Sequence, residues 1–243
     1  MRLKLLLLFI LPLLTLAQVQ TITNLQLELK KETNSEKKLE IINEMVSIAF
    51  EQNMEQALVF AKQGVAFADK VKDKNWQPKF YEMQGRMHAN LLQLDSASIF
   101  FLKAEKGYSA VNNKEGLAKT YFKMAWVSRK KGNLDVALQK DLEGLKMMES
   151  IDNKAGICDA MTRVSDDLTQ QNRLEEALDY AEKSIKIADE FNLTTEKFFV
   201  NFNAANVAMA SRKFQQSFNY YDKALSIAKA QNLGLPSQAD VTN

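Results

Sequence analysis

The chain has 243 residues, with 32 basic and 30 acidic side chains and a formal charge of +2. That balance argues against duplex binding, which needs a clustered basic excess to neutralise phosphates. A single histidine excludes a histidine-rich metal centre, a single cysteine excludes an internal disulfide, and only three prolines and eight glycines suit long helices better than a turn-rich sheet.

The first element is a leader. Arg2 and Lys4 make a basic start, Leu5 to Leu16 an apolar run, and Thr15-Leu16-Ala17 a small-residue cleavage site. The run is shorter than the roughly 20 apolar residues a spanning helix needs, so residues 1–17 are expected to be an export signal and the mature segment to have no membrane span. Without Arg2 and Lys4 the basic and acidic counts are equal. Residues 18–37 follow as a lead-in. Within them Thr23-Asn24-Leu25-Gln26-Leu27-Glu28-Leu29-Lys30-Lys31 predicts one helix that caps what comes next.

From there the sequence repeats itself. Asn53-Met54-Glu55-Gln56-Ala57, Gln93-Leu94-Asp95-Ser96-Ala97, Asn133-Leu134-Asp135-Val136-Ala137, Arg173-Leu174-Glu175-Glu176-Ala177 and Lys213-Phe214-Gln215-Gln216-Ser217 share one form, and their small residues fall 40 apart. Asn112, Asp152, Asn192 and Asn232 hold one column and mark helix ends, because Asn and Asp tolerate turn conformations. Between them apolar residues recur at steps of three and four, as in Ala177, Tyr180, Ala181, Ile185 and Ala188. Each unit therefore reads as two helices in a hairpin too thin to bury its own stripe, so stacking is obligatory. The expected units are 38–77, 78–117, 118–157, 158–197 and 198–235. Small residues at 57, 97, 137, 177 and 217, matched by Gly85, Ala125, Ser165 and Ala205 on the first helices, let neighbouring helices approach closely.

These columns resemble the tetratricopeptide-repeat (TPR) family. Tyr121, Met124-Ala125 and Ala137 fill the family's aromatic, Leu-Gly and small slots in the third unit, as Tyr81, Gly85, Ala97, Phe101 and Ala104 do in the second. The resemblance covers about residues 38 to 235. It implies an all-α, right-handed superhelical solenoid of antiparallel helix pairs that binds a protein or peptide along a concave face made by the first helices. Two departures belong together: the period is 40 where the family's is 34, and the closing proline slot holds Asp69, Ser109, Glu149, Asp189 and Lys229, which would let the second helix run on. The period, the leader and the lead-in together resemble the N-terminal periplasmic sensor regions of Bacteroidetes histidine kinases or LuxR-like regulators. The resemblance implies an exported segment, with a membrane tether downstream as an alternative arrangement. Either a sensor with an output domain or a stand-alone adaptor fits.

On the first helices, the positions just off the packing slots are expected to meet a partner. These are Arg86 and Asn90, then Lys119, Phe122, Trp126 and Arg129, then Asp159 and Asp166, then Phe199, Phe202 and Asn206. Arg86, Trp126 and Arg129 are the leading candidates, since Arg and Trp dominate binding hot spots. Packing between units is the equal alternative for Trp126, Phe199 and Phe202. Asp166-Asp167 and Glu175-Glu176 read as solvated acids, and His88 and Cys158 as packed residues. No glycine-rich phosphate loop or serine-centred elbow is present, so neither a cofactor nor catalysis is expected. Phase places an incomplete sixth unit at 236–243, which would leave the apolar face of 214–230 half covered.

Overall fold

A computed structural model describes residues 21–231. The expected leader at 1–17 and the incomplete unit at 236–243 lie outside the described residues. The described secondary structure is entirely helical. Residues 21–31 form α1, and ten helices follow: α2 (Ser35–Phe50), α3 (Met54–Lys70), α4 (Trp76–Asn90), α5 (Leu94–Ala110), α6 (Lys114–Lys130), α7 (Leu134–Ser150), α8 (Lys154–Gln170), α9 (Leu174–Glu190), α10 (Thr194–Ala210) and α11 (Phe214–Ala230). They form two compact units, one ending at Asn113 and the other beginning at Lys114. Within each, a helix packs on the next one or two helices in the chain. The fold is an all-α, TPR-like stack of antiparallel helix pairs.

The 40-residue period has a simple construction. From α5 onward every helix has 17 residues and three residues link it to the next. A helix with its turn thus fills half a period. The extra length is shared equally by the two helices of a pair instead of lying in the second alone. First helices begin at Lys114, Lys154 and Thr194, four residues ahead of the expected boundaries at 118, 158 and 198, because nothing but the three-residue turn precedes them.

From α3 onward the turns end their helices in one way. One residue enters the left-handed region: Asn112 (φ 53°), Gly132 (79°), Asp152 (55°), Asn172 (59°) and Asn192 (49°). The following amide then bonds back across the helix end, from Asn113 N to Tyr108 O at 2.9 Å and from Leu193 N to Ala188 O at 2.9 Å. This closure satisfies carbonyls that a helix end would otherwise leave unpaired. Side chains do the equivalent at several starts, where Asn34, Asn53 and Asn153 accept from Lys37 N, Gln56 N and Gly156 N at 3.0, 3.0 and 2.9 Å.

Packing follows the small columns. Ala57, Ala97, Ala137, Ala177 and Ser217 are all fully buried. Helices there meet at backbone level: Ser165 Oγ donates to Ala177 O at 2.8 Å, and Ser217 Oγ donates to Ala205 O at 2.9 Å. In the first unit, Ile22 and Leu25 of α1 join Leu39, Ile42, Met45, Phe60, Phe80 and Met87 in one core. In the second, Phe122, Leu145, Met148, Ile157 and Met161 make one cluster, and Leu138, Val164, Leu168, Leu178 and Val207 another. The helix α11 buries only Ser217, Ala224 and Ala228, while Phe214 and Phe218 stand 63% and 66% exposed.

Aromatic rings occupy the space that glycines leave. A Cβ on Gly64 would lie 2.6 Å from three ring atoms of Phe80, a fully buried side chain. Gly64→Ala should therefore destabilise the first unit by about 1 kcal/mol or more. Overpacking costs about 1–3 kcal/mol, which outweighs the gain in helix propensity of about 1 kcal/mol at most. Urea unfolding checks this, and a stabilised variant would mean that Phe80 moves aside freely.

Candidate functional site

A groove in the second unit gathers the largest share of the expected residues. It runs along α6 and the facing half of α8, with Met148 of α7 at its side. Its lining includes Lys119, Lys123 and Trp126 from α6, and Asp159 and Arg163 from α8. Helical spacing puts Lys119, Lys123 and Trp126 on one face, since residues three and four apart are neighbours. Trp126 is half-buried, with Lys130 Nζ 5.4 Å from its ring centre. Lys119 pairs with Glu115 at 2.5 Å and Arg163 with Asp159 at 3.0 Å, with Arg163 partly buried and the other three well exposed. Such exposed pairs are worth well under about 1 kcal/mol and yield readily to a ligand.

Two expected contact residues are not available there. Phe122 is only 5% exposed. Its ring fills the space above Gly144, where any Cβ would collide with it, and the Arg163 guanidinium covers it at 5.1 Å. It forms the floor of the groove as a core residue. Arg129 is held inside the protein: Nη1 donates to Asp141 Oδ2 at 2.6 Å and to Asp167 Oδ1 at 2.7 Å. Its side chain is 17% exposed and those of both acids 0%. A guanidinium so engaged braces α6 against α7 and α8 and is not offered to a partner.

The acidic pair at 166–167 also differs from expectation. Asp167 is buried, because its column is an interface column: Met87, Val127 and Val207 occupy it elsewhere and are buried too. Asp166 is open to solvent on one side and accepts from Asn203 Nδ2 at 2.6 Å, which ties α8 to α10. Protein crowding on its other sides raises its pKa to about 6, against the pull of Arg129. Glu175 and Glu176 are exposed and pair with Lys213 and Arg173, as solvated acids do.

The remaining expected residues fall in separate places. On α10, Phe199 and Phe202 are 56% and 45% exposed and Met209 46%, with Asn206 also exposed. Phe198 links the first two by ring contacts of 5.1 and 6.0 Å, and Phe202 meets Tyr221 edge-on at 5.7 Å. In the first unit Arg86 and Asn90 are exposed. Arg86 stacks on Phe50 at 4.9 Å over a shallow depression between α2 and α4. His88 bonds Gln93 through Nδ1 at 2.6 Å and stacks on Phe100 at 5.1 Å. The Cys158 thiol is buried 3.5 Å from Ser184 O, and burial pushes its pKa up to about 11. Both are satisfied locally, and the raised pKa leaves the thiol unsuited to nucleophilic chemistry at neutral pH. The described residues hold no cluster of three or more metal-ligating side chains.

Asp141 is not conspicuous along its own helix, but its column carries a signal. Phe101 and Ala181 hold the same position and are buried. A carboxylate in an apolar column needs a cation opposite, and Arg129 in turn replaces Ala89, Thr169 and Met209 of its own column. Three simultaneous departures from the repeat pattern mark one ionic cluster.

No protein-family model and no curated protein sequence matches the chain. Solved structures do. BtubC (BKLC) from P. vanneervenii is 15% identical, with a TM-score of 0.76 over 91% of this chain and 92% of that one. A Signal Transduction ATPase with Numerous Domains from Pyrococcus horikoshii, which carries a tetratricopeptide repeat sensor, is 16% identical with a TM-score of 0.70, over 79% of this chain and 30% of that one. A Rap protein complexed with Competence and Sporulation Factor is 10% identical with a TM-score of 0.62, over 89% and 71%. At these identities the likeness establishes the TPR-like fold.

Core and surface aromatics in related columns should behave differently. Phe122→Ala is expected to cost about 3–5 kcal/mol of stability, as loss of a buried aromatic does. Phe199→Ala should stay within about 0.5 kcal/mol. Chemical denaturation of the two variants checks this, and equal losses would contradict the assignment of floor and surface.

Proposed function

We propose that this chain is an exported scaffold that binds a protein or peptide segment along the face of its first helices, as the sensing part of a longer signal-transduction protein. The groove of α6 and α8 carries the reading. It sets the half-buried indole of Trp126 beside flexible charges at Lys119, Lys123, Asp159 and Arg163, over an apolar floor of Phe122 and Met148. An amphipathic aromatic next to adaptable ion pairs suits an extended segment with one anchoring side chain. Exposed Phe199, Phe202 and Met209 on α10 supply further apolar area, and Arg86 and Asn90 play the corresponding part in the first unit.

The repeat units at 38–235 and the lead-in at 18–37 are the working parts of this scaffold. Two of the structural neighbours fit the reading: one carries a tetratricopeptide repeat sensor, and another was solved with a factor bound. Export rests on the basic, apolar and small-residue run at 1–17. None of the helices among the described residues is long and apolar enough to cross a membrane. A stand-alone periplasmic adaptor would use the same face, and a membrane helix with a kinase or DNA-binding module encoded after Asn243 would favour the sensor.

Selection from a displayed random-peptide library against the mature chain provides a probe whose affinity calorimetry can measure. Trp126→Ala should weaken the selected peptide about tenfold or more, the loss of about 1.4 kcal/mol typical of an anchoring aromatic. The melting temperature should shift by no more than about 2 °C, in keeping with a surface substitution. Unchanged affinity, or a stability loss of about 3 kcal/mol, would make Trp126 a packing residue and defeat the reading.

A further inference from the structure

The Arg129 cluster has more acid than base. One guanidinium faces two carboxylates whose side chains are fully buried, and both accept from the same nitrogen at 2.6 and 2.7 Å. Asp141 Oδ1 and Asp167 Oδ2 are buried as well and have no hydrogen-bond partner. Fully ionised, the cluster would bury a net negative charge and leave two acceptors unmatched, each a costly state away from water. A proton taken from solvent by one carboxyl removes both defects: the cluster becomes neutral, and the new O–H is a donor where only acceptors stood.

We propose that Asp141, Asp167 and Arg129 form a binding site for one exchangeable proton, and that releasing it as pH rises through neutrality loosens the packing of α6 and α7 against α8. The charged groups that face the site are Arg129 from α6, Asp141 from α7, and Asp166, Asp167 and Arg163 from α8, while α10 contributes the Asn203 amide. Burial pushes the Asp141 carboxyl up to about 7; Arg129 opposes this, and Asp167 close beside it reinforces it. The pKa is raised on folding, so the native state holds a proton that the unfolded chain has lost. Stability therefore falls as pH rises from the ordinary carboxylate range near 4 to about 7, by at most about tenfold in the folding constant per pH unit. Carboxylates paired on the surface act in the opposite sense. Trp126 lies one helical turn before Arg129, so α6, which carries the indole of the groove, is among the helices that loosen.

The test uses the mature chain. Carboxyl carbon resonances of the aspartates are followed from pH 3 to 9, with Asp141 assigned through Asp141→Asn. One aspartate of the buried pair should titrate between about pH 6 and 8. If both titrate below about pH 5, in the ordinary range of a carboxylate, the proposal fails. In parallel, urea unfolding at pH 5 and 8 compares wild type, Asp141→Asn and Asp166→Asn. The wild type and Asp166→Asn should both lose more stability on going to pH 8 than Asp141→Asn, whose amide imitates the protonated acid. An equal loss in Asp141→Asn and wild type overturns the proposal. If Asp141→Asn does not fold, assignment through Asp167→Asn leaves the titration of the wild type to decide.

Discussion

A 17-residue helix with one apolar stripe cannot shield that stripe by itself, so the chain depends on how closely each helix approaches the next. Small side chains at one column of every second helix and one column of the first set that distance. Where serine occupies the column, the approach is visible as a side-chain hydrogen bond to the neighbour's backbone, from Ser165 to Ala177 and from Ser217 to Ala205. Large rings fill the adjoining space: Phe80 over Gly64, Phe101 over Gly85 and Phe122 over Gly144. Close approach gains dispersion and removes apolar area from water, within a helix pair and, as with Phe80 on Gly64, between one pair and the next.

Whatever does not pack is left for function. A position just off the small column is buried where a neighbouring helix covers it. Phe122 and Phe202 share a column, yet one is 5% and the other 45% exposed. The difference lies in α8, whose Ala160, Met161 and Arg163 cover Phe122. The candidate groove is thus a by-product of stacking, edged by charges that have a solvated alternative. The Arg129 cluster reverses that logic, since its acids stand in apolar columns with their side chains fully buried.

Most of the architecture could be read from spacing, because a strict period forces equivalent residues into equivalent environments. The 40-residue step located the small columns and the Asn or Asp turns; the small columns and the turns at Asn112, Asp152 and Asn192 hold in the structure, while Asn232 lies outside the described residues. Helix boundaries were less legible by one turn, since phase alone does not say where a three-residue link begins. The site was legible only in part. Which residues lie on the first-helix face follows from helical periodicity, which is why Lys119, Trp126 and Asp159 meet in one groove. Whether a residue on that face is free depends on partners 12 and 38 positions away, as Arg129 is with Asp141 and Asp167. Reading down the columns exposes such partners where reading along a helix does not.

Stability in this fold should be local, with close contact at the small column joining the two helices of a pair and each pair supported by its sequence neighbours. Native-state hydrogen exchange on the chain with Ala177→Leu tests it most directly, because the added bulk prevents α8 and α9 from approaching. Protection should be lost in α8, α9 and α10, with the amides of α2 to α5 exchanging as in the wild type. An equal loss of protection in every helix would show a single cooperative core and contradict it.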